Sequence, residues 1–181
     1  MSRYPEFPPG TPSVTEILQR LGLIDSTWFT PEAAERGTRV HRGAQLLVEG
    51  NLDWQSVDPG DSGYLHSLEN LLESTGWIVK LTEQRRYDDQ LKFCGTFDAA
   101  FNADIHNLDR HIICDYKTGA PQPWHEIQLG FYWRLAGSDG RLAGIYLQQD
   151  GSTAKLKFYN AYNAWHKAQT VLNFYRLKEN L

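Results

Sequence analysis

Gly95-Thr96-Phe97-Asp98 and Asp115-Tyr116-Lys117 put two carboxylates and an amine on what read as neighbouring strands joined by a short polar turn. Side chains on a strand alternate faces, so Ile113, Asp115 and Lys117 share a face, as do Thr96, Asp98 and Ala100. Placing Asp98 opposite Asp115 centres the turn between His106 and Asn107, inside the polar segment Asp104–Arg110. Cross-strand neighbours stand about 4.5–5.5 Å apart at Cβ, and carboxylates that close repel unless a cation or a proton intervenes. A hard, oxygen-seeking ion such as Mg2+ removes the conflict, with Lys117 near its outer coordination sphere. That is the minimum apparatus for cutting a phosphodiester bond with water. Asp-x-Lys alone usually marks an exposed strand face. Here Asp115 follows the largely apolar run His111-Ile112-Ile113-Cys114, and a charge at the end of a buried strand points to a site.

Two further groups extend the pattern. Gln128 and Tyr132 stand one turn apart on a helix that follows Lys117 after a few residues, so they share a face and return over the strand ends. Gln128 is placed to hold a water or phosphate oxygen, and Tyr132 to pin a backbone or stack. Trp124, Ile127, Phe131 and Leu135 read as packing. Upstream, His41 lies beside Arg36, Arg39 and Arg42, whose spacing of three forms a basic stripe on a helix. Guanidinium groups so spaced suit successive phosphates, and the imidazole can complete a metal site.

The elements that must position these groups are legible from local signals. Residues 1–12 are rich in proline and glycine and read as an irregular lead-in. Ser13-Val14-Thr15-Glu16 is a capping-box pattern opening a short helix to about Leu21. Thr30-Pro31-Glu32 opens a second helix to about Glu49, striped with Val40, Ala44, Leu47 and Val48. Asn51–Gly60 reads as a loop, and a third helix covers about Asp61–Ser74 until Gly76 stops it. Trp77–Tyr87, Leu91–Ala103 and His111–Lys117 have strand character. A helix over about Pro123–Ala136, a hairpin of Arg141–Gln149 with Ala154–Tyr159, and a helix over Tyr162–Lys178 complete the chain. The order predicts one mixed α/β domain over 1–181, with a helical part at 1–75, a sheet core at 76–160 and a closing helix at 161–181.

Composition agrees with a globular fold: 181 residues, 41% hydrophobic and 13% aromatic, suit one domain with one core. A net charge of −4 excludes a wholly basic nucleic-acid coat but not a local basic groove. No apolar run is long enough to span a bilayer, and the N-terminal residues lack the apolar segment of a signal peptide. Cys94 and Cys114, inside predicted strands, read as buried thiols in a reducing cytoplasm, and two thiolates cannot ligate a typical iron–sulfur cluster.

Taken in order, His41, Asp98 after Gly-x-hydrophobic, Asp115-Tyr116-Lys117 and Gln128 with Tyr132 resemble the motifs of the PD-(D/E)XK nuclease superfamily in its RecB-like branch. Pro12–Leu18 and Arg36–His41 are similar to segments of the mitochondrial genome maintenance exonuclease family and related phage exonucleases. The resemblance runs from about residue 12 to 135. Each motif alone is weak, and the ordered set is specific. Thr96-Phe97 replaces the proline of the superfamily's name, as is common in this branch, and the cysteines of its iron–sulfur members are missing.

The resemblance implies an α/β fold with a restriction-endonuclease-like core: a central mixed sheet flanked by helices, with an N-terminal helical extension. It implies that His41, Asp98, Asp115 and the main-chain carbonyl of Tyr116 ligate one or two Mg2+ or Mn2+ ions. Lys117 would position or activate the attacking water, with Gln128 and Tyr132 supporting the site. Arg39 and Arg42 are the candidates for a phosphate track, and Trp28 for stacking on single-stranded bases. Glu83 is a further acidic candidate, because some relatives carry a glutamate there. The implied function is a metal-dependent DNA exonuclease in recombination, repair or phage DNA processing. A structure-specific endonuclease of the same fold, a non-catalytic DNA-binding relic and a hydrolase of another phosphate ester are the competing readings.

Overall fold

The computed structural model describes residues 4–24, 30–103 and 111–179. Trp28 and the predicted turn at 104–110 lie outside these residues. Residues 4–12 form an irregular segment that leads into helix α1 (Val14–Arg20), whose cap is formed by Ser13 Oγ accepting the Glu16 N–H at 3.2 Å. Helix α2 (Pro31–Val48) starts at Thr30, which accepts the Ala33 N–H, with proline at the first position where no donor is needed. A 3-10 turn at Trp54–Ser56, which the sequence reading placed in a loop, leads into α3 (Pro59–Thr75). Gly76 ends α3 in the left-handed conformation, φ +66°.

The second half builds the sheet: β1 (Ile78–Asp88), β2 (Phe93–Asn102), β3 (His111–Lys117), helix α4 (Pro123–Leu135), β4 (Arg141–Tyr146), β5 (Lys155–Tyr159) and the closing helix α5 (Ala161–Glu179). The five strands lie in chain order, with β3 and β4 parallel and all other neighbours antiparallel. The crossover between the parallel pair is α4, as parallel neighbours require. The fold is therefore α/β, with a five-stranded mixed sheet flanked by helices.

Each sheet face has its own core. On one face α1, α4 and α5 pack on Phe93, Phe97, Ala100, Ile113 and Leu142. On the other, Val40 and Ala44 of α2 and Tyr64, Leu65 and Leu68 of α3 pack over Ala99, Phe101, Ile112, Cys114 and Ile145. Cys94 and Cys114 are both buried in the sheet. Among the described residues no helix is long and apolar enough to cross a membrane.

The predicted register is observed: Ala99↔Cys114 through Asn102↔His111 have the offset that sets Asp98 across from Asp115. Strict alternation along β2 is not. Phe97 joins the α4 core while Ala99 joins the α2 core, so the faces exchange at Asp98. The cause lies in β1. Thr82 pairs with Ala99 and Gln84 with Phe97, but Glu83 between them has φ +45° and is skipped. A strand residue in that conformation interrupts the pleat, and Asp98 is freed from the ladder at the same level.

Candidate active site

Asp115 and Lys117 come from the C-terminal end of β3, on the face covered by α4, and Asp98 from the interrupted stretch of β2. His41 comes from the middle of α2 and Gln128 and Tyr132 from successive turns of α4. All six line one cleft of about 470 Å³. Residues separated by up to 91 positions thus share one solvent space, between helices that cover opposite faces of the sheet.

The acidic pair is buried, with Asp98 7% and Asp115 3% exposed. Asp98 has a partner on each oxygen. Its Oδ2 accepts the Tyr116 N–H at 2.6 Å, and its Oδ1 lies 3.2 Å from His41 Nδ1. Tyr116 thereby belongs to the site through its main chain, while its ring is buried in the α2 core. Burial alone would raise the Asp98 carboxyl, but the charge and hydrogen bond of His41, the Tyr116 amide and Lys117 hold it below the usual carboxylate range. Burial likewise opposes charging of His41, yet Asp98 and then Asp115 raise its pKa to about 9. Asp115 goes the other way: burial pushes its carboxyl up, the Lys117 charge offsets this in part, and the charge of Asp98 adds to it.

Lys117 forms an ion pair with Asp115 and donates to Gln128 Oε1 at 2.8 Å. The other end of the Gln128 amide, Nε2, donates to Tyr132 Oη at 2.9 Å. Gln-x-x-x-Tyr is thus one hydrogen-bonded brace that orients the lysine. Gly95 makes room for the brace. A Cβ there would stand 3.0 Å from Val14, 3.1 Å from Leu135 and 3.2 Å from Tyr132.

The donor set fits a hard divalent cation. Two buried carboxylates and an imidazole converge, and Asp115 Oδ2 is buried with the Lys117 ammonium as its partner. As the side chains stand, no group of three or more His, Cys, Asp and Glu among the described residues is spaced to enclose an ion. Each carboxylate is turned to its cationic neighbour.

The arginine stripe divides. Arg42 lines the cleft. Arg39 does not; it makes a bidentate pair with the buried Asp61 of α3, at 2.6 and 3.2 Å. Arg36 lies over the Tyr64 ring at 6.0 Å, also on the α3 side. Thr38 and Gln45 line the cleft with His41, at the helical spacings of three and four that set them on its face, a periodicity already visible in the sequence. Glu83 lines it as well, carried there by its left-handed backbone.

No family model and no curated protein matches the chain. Among solved structures, one titled "Crystal structure of SSO0001" is similar at 17% identity over 89% of this chain and 86% of that chain. Its TM-score of 0.35 is too low to define a shared fold.

Proposed function

We propose that the protein is a metal-dependent nuclease of the PD-(D/E)XK superfamily, RecB-like branch, which hydrolyses phosphodiester bonds at DNA ends. One observation carries the reading: His41, Asp98, Asp115, Lys117, Gln128 and Tyr132, drawn from four elements, line a single cleft in which each touches another of the set. A core in which an antiparallel β1-β2-β3 meander is followed by α4 and a parallel β4 supports the restriction-endonuclease-like assignment.

His41, Asp98, Asp115 and the Tyr116 carbonyl would hold Mg2+ or Mn2+, which lowers the pKa of water and offsets phosphate charge when bound. Lys117 supplies a fixed positive charge beside the reacting phosphate, worth about 10²–10³ in rate where such a donor faces developing negative charge. Gln128 orients that charge, and Tyr132 fixes Gln128. Arg42, at the α2 wall, meets a neighbouring phosphate.

The test is digestion of end-labelled single- and double-stranded DNA with Mg2+ or Mn2+, comparing the wild type with Lys117→Ala. The expected result is metal-dependent release of label and a loss of at least about a hundredfold in the variant. A wild type that cleaves neither substrate, or a variant with full activity, removes the proposal. Covalently closed circular DNA left intact identifies the exonuclease; nicking identifies an endonuclease of the same fold.

A further inference from the structure

The Lys117 ammonium has a third neighbour besides Asp115 and Gln128. It stands 4.8 Å from the ring centroid of Trp124, within the range in which a cation over an indole face is attracted by the ring quadrupole. Trp124 and Gln128 are four residues apart on α4, so both reach Lys117 from one helical face. Together they leave the lysine side chain 13% exposed.

The ring is itself fixed. Trp124 meets His125 edge to face, with centroids 4.1 Å apart and planes at 85°. His125 is 3% exposed; its Nδ1 accepts the Gln122 N–H at 3.2 Å and lies 3.0 Å from Tyr146 Oη. Tyr146 Oη stands 2.8 Å from Tyr159 Oη, so β4 and β5 both hold this stack. Gly144, the β4 partner of Asp115, makes space for it: a Cβ there would lie 2.9–3.2 Å from the Tyr146 ring. An indole backed by a buried imidazole and two tyrosines is in place before any ligand arrives.

Resting on the nuclease reading, we propose that Trp124 is a positioning residue for Lys117, its ring face holding the ammonium in the cleft when Asp115 turns to a metal ion. The ion pair with Asp115 and ligation of a cation by Asp115 compete for the same carboxylate. Once that carboxylate is engaged, the groups left to hold the ammonium are the neutral Gln128 oxygen and the indole face. A lysine stem of four carbons held by one neutral acceptor wanders, and a misplaced charge stabilises the transition state less.

The experiment compares wild type, Trp124→Phe, Trp124→Leu and Trp124→Met, each first shown to be folded by thermal unfolding. The methionine variant stands in if leucine at this position prevents folding. Steady-state cleavage of labelled DNA with Mg2+ is read as kcat and KM. In parallel, metal-free protein is treated with limiting acetic anhydride, and acetylation of Lys117 is followed by mass spectrometry. The aliphatic variants are expected to lose about tenfold in kcat with KM within about twofold of wild type, while phenylalanine retains most of the rate. Lys117 acetylation is expected to rise several-fold in the aliphatic variants only. Wild-type kcat in the aliphatic variants overturns the proposal. So does an equal loss in the phenylalanine and leucine variants, which marks packing, or a loss confined to KM, which marks a DNA contact. A wild type without nuclease activity removes the nuclease reading, and the acetylation arm still decides whether Trp124 encloses Lys117.

Discussion

His41 Nδ1 and Asp98 Oδ1 face each other at 3.2 Å across the boundary between α2 and the sheet, an ion pair that forms only when the imidazole is protonated. The imidazole pKa is about 9 in the metal-free fold, against an unfolded value near 6.5. A raised histidine contributes stability that is fully present below the unfolded pKa and lost as pH rises through the folded one. With EDTA present, the Tm of the wild type is expected to fall between about pH 6.5 and pH 9 more steeply than that of His41→Ala. Thermal unfolding across that window checks it, and parallel curves refute the pairing. Since a metal takes the neutral imidazole, Mn2+ binding near pH 7 should also release a proton, measurable by calorimetry in buffers of different ionisation enthalpy.

Gln128→Leu separates Lys117 from Tyr132 at about the same side-chain size. Both partners then lose a buried hydrogen bond, and kcat is expected to fall about 10- to 100-fold. Tyr132→Phe removes only the hydroxyl that accepts from Gln128, so its loss should be smaller. Cleavage rates for the two variants check the order, and a larger loss from Tyr132→Phe contradicts a brace that runs through Gln128.

Arg39→Ala and Arg42→Ala should fail in different ways. Removing Arg39 strands the buried Asp61 carboxylate and should lower Tm. Removing Arg42, an exposed side chain in the cleft wall, should leave Tm within about 1 °C and weaken DNA binding. Thermal unfolding and fluorescence anisotropy of labelled DNA with Ca2+ measure both. Equal loss of DNA affinity in the two variants would restore Arg39 to the phosphate track.

Glu83→Gly tests the interruption in β1. Glutamate at φ +45° is strained, and glycine adopts that backbone without steric strain, so relief of strain should favour the variant by about 1 kcal/mol, offset in part by the greater chain entropy glycine loses on folding. If the strain serves to bring the carboxylate into the cleft, the gain in Tm comes with a loss of cleavage. Unfolding and activity on the same preparation report both. A destabilised variant shows that the Glu83 side chain supports the fold by more than the strain costs.

Arg134 Nε donates to Asp88 Oδ2 at 2.6 Å, tying α4 to the end of β1. Burial alone would raise the Asp88 carboxyl, but Arg134 and the N–H groups of Leu91 and Gln90 hold it below its ordinary value. A depressed carboxylate contributes stability above the unfolded pKa and loses it as pH falls through the folded one. Asp88→Asn should therefore lower Tm at pH 7 and converge with wild type as pH falls below the ordinary carboxylate value of 3.8 and through the depressed folded one. Tm against pH for the two proteins is the measurement.

The sequence by itself determined most of the elements and brought forward six residues that line one cleft. Caps at Ser13 and Thr30, the stop at Gly76, the strand alternation of His111–Lys117 and the helical spacing of Gln128 and Tyr132 are local features, because hydrogen bonding within a helix and pleating within a strand repeat over a few residues. The register of β2 with β3 was legible too, since setting Asp98 opposite Asp115 centres the connection inside a polar segment of the sequence. Tertiary structure decided what each side chain meets. Arg39 and Arg42 look equivalent in the sequence, but three residues advance a helix by about 300°, and the packing of α2 on α3 turns one to Asp61 and leaves the other in the cleft. Trp124 read as core, yet it also roofs Lys117, because only the crossover from β3 to β4 sets the first turn of α4 over that strand end. The exchange of faces at Asp98 was hidden as well. It arises from a neighbouring strand's unusual backbone at Glu83, and the influence of one strand's conformation on another acts through space, where spacing along the chain carries no signal.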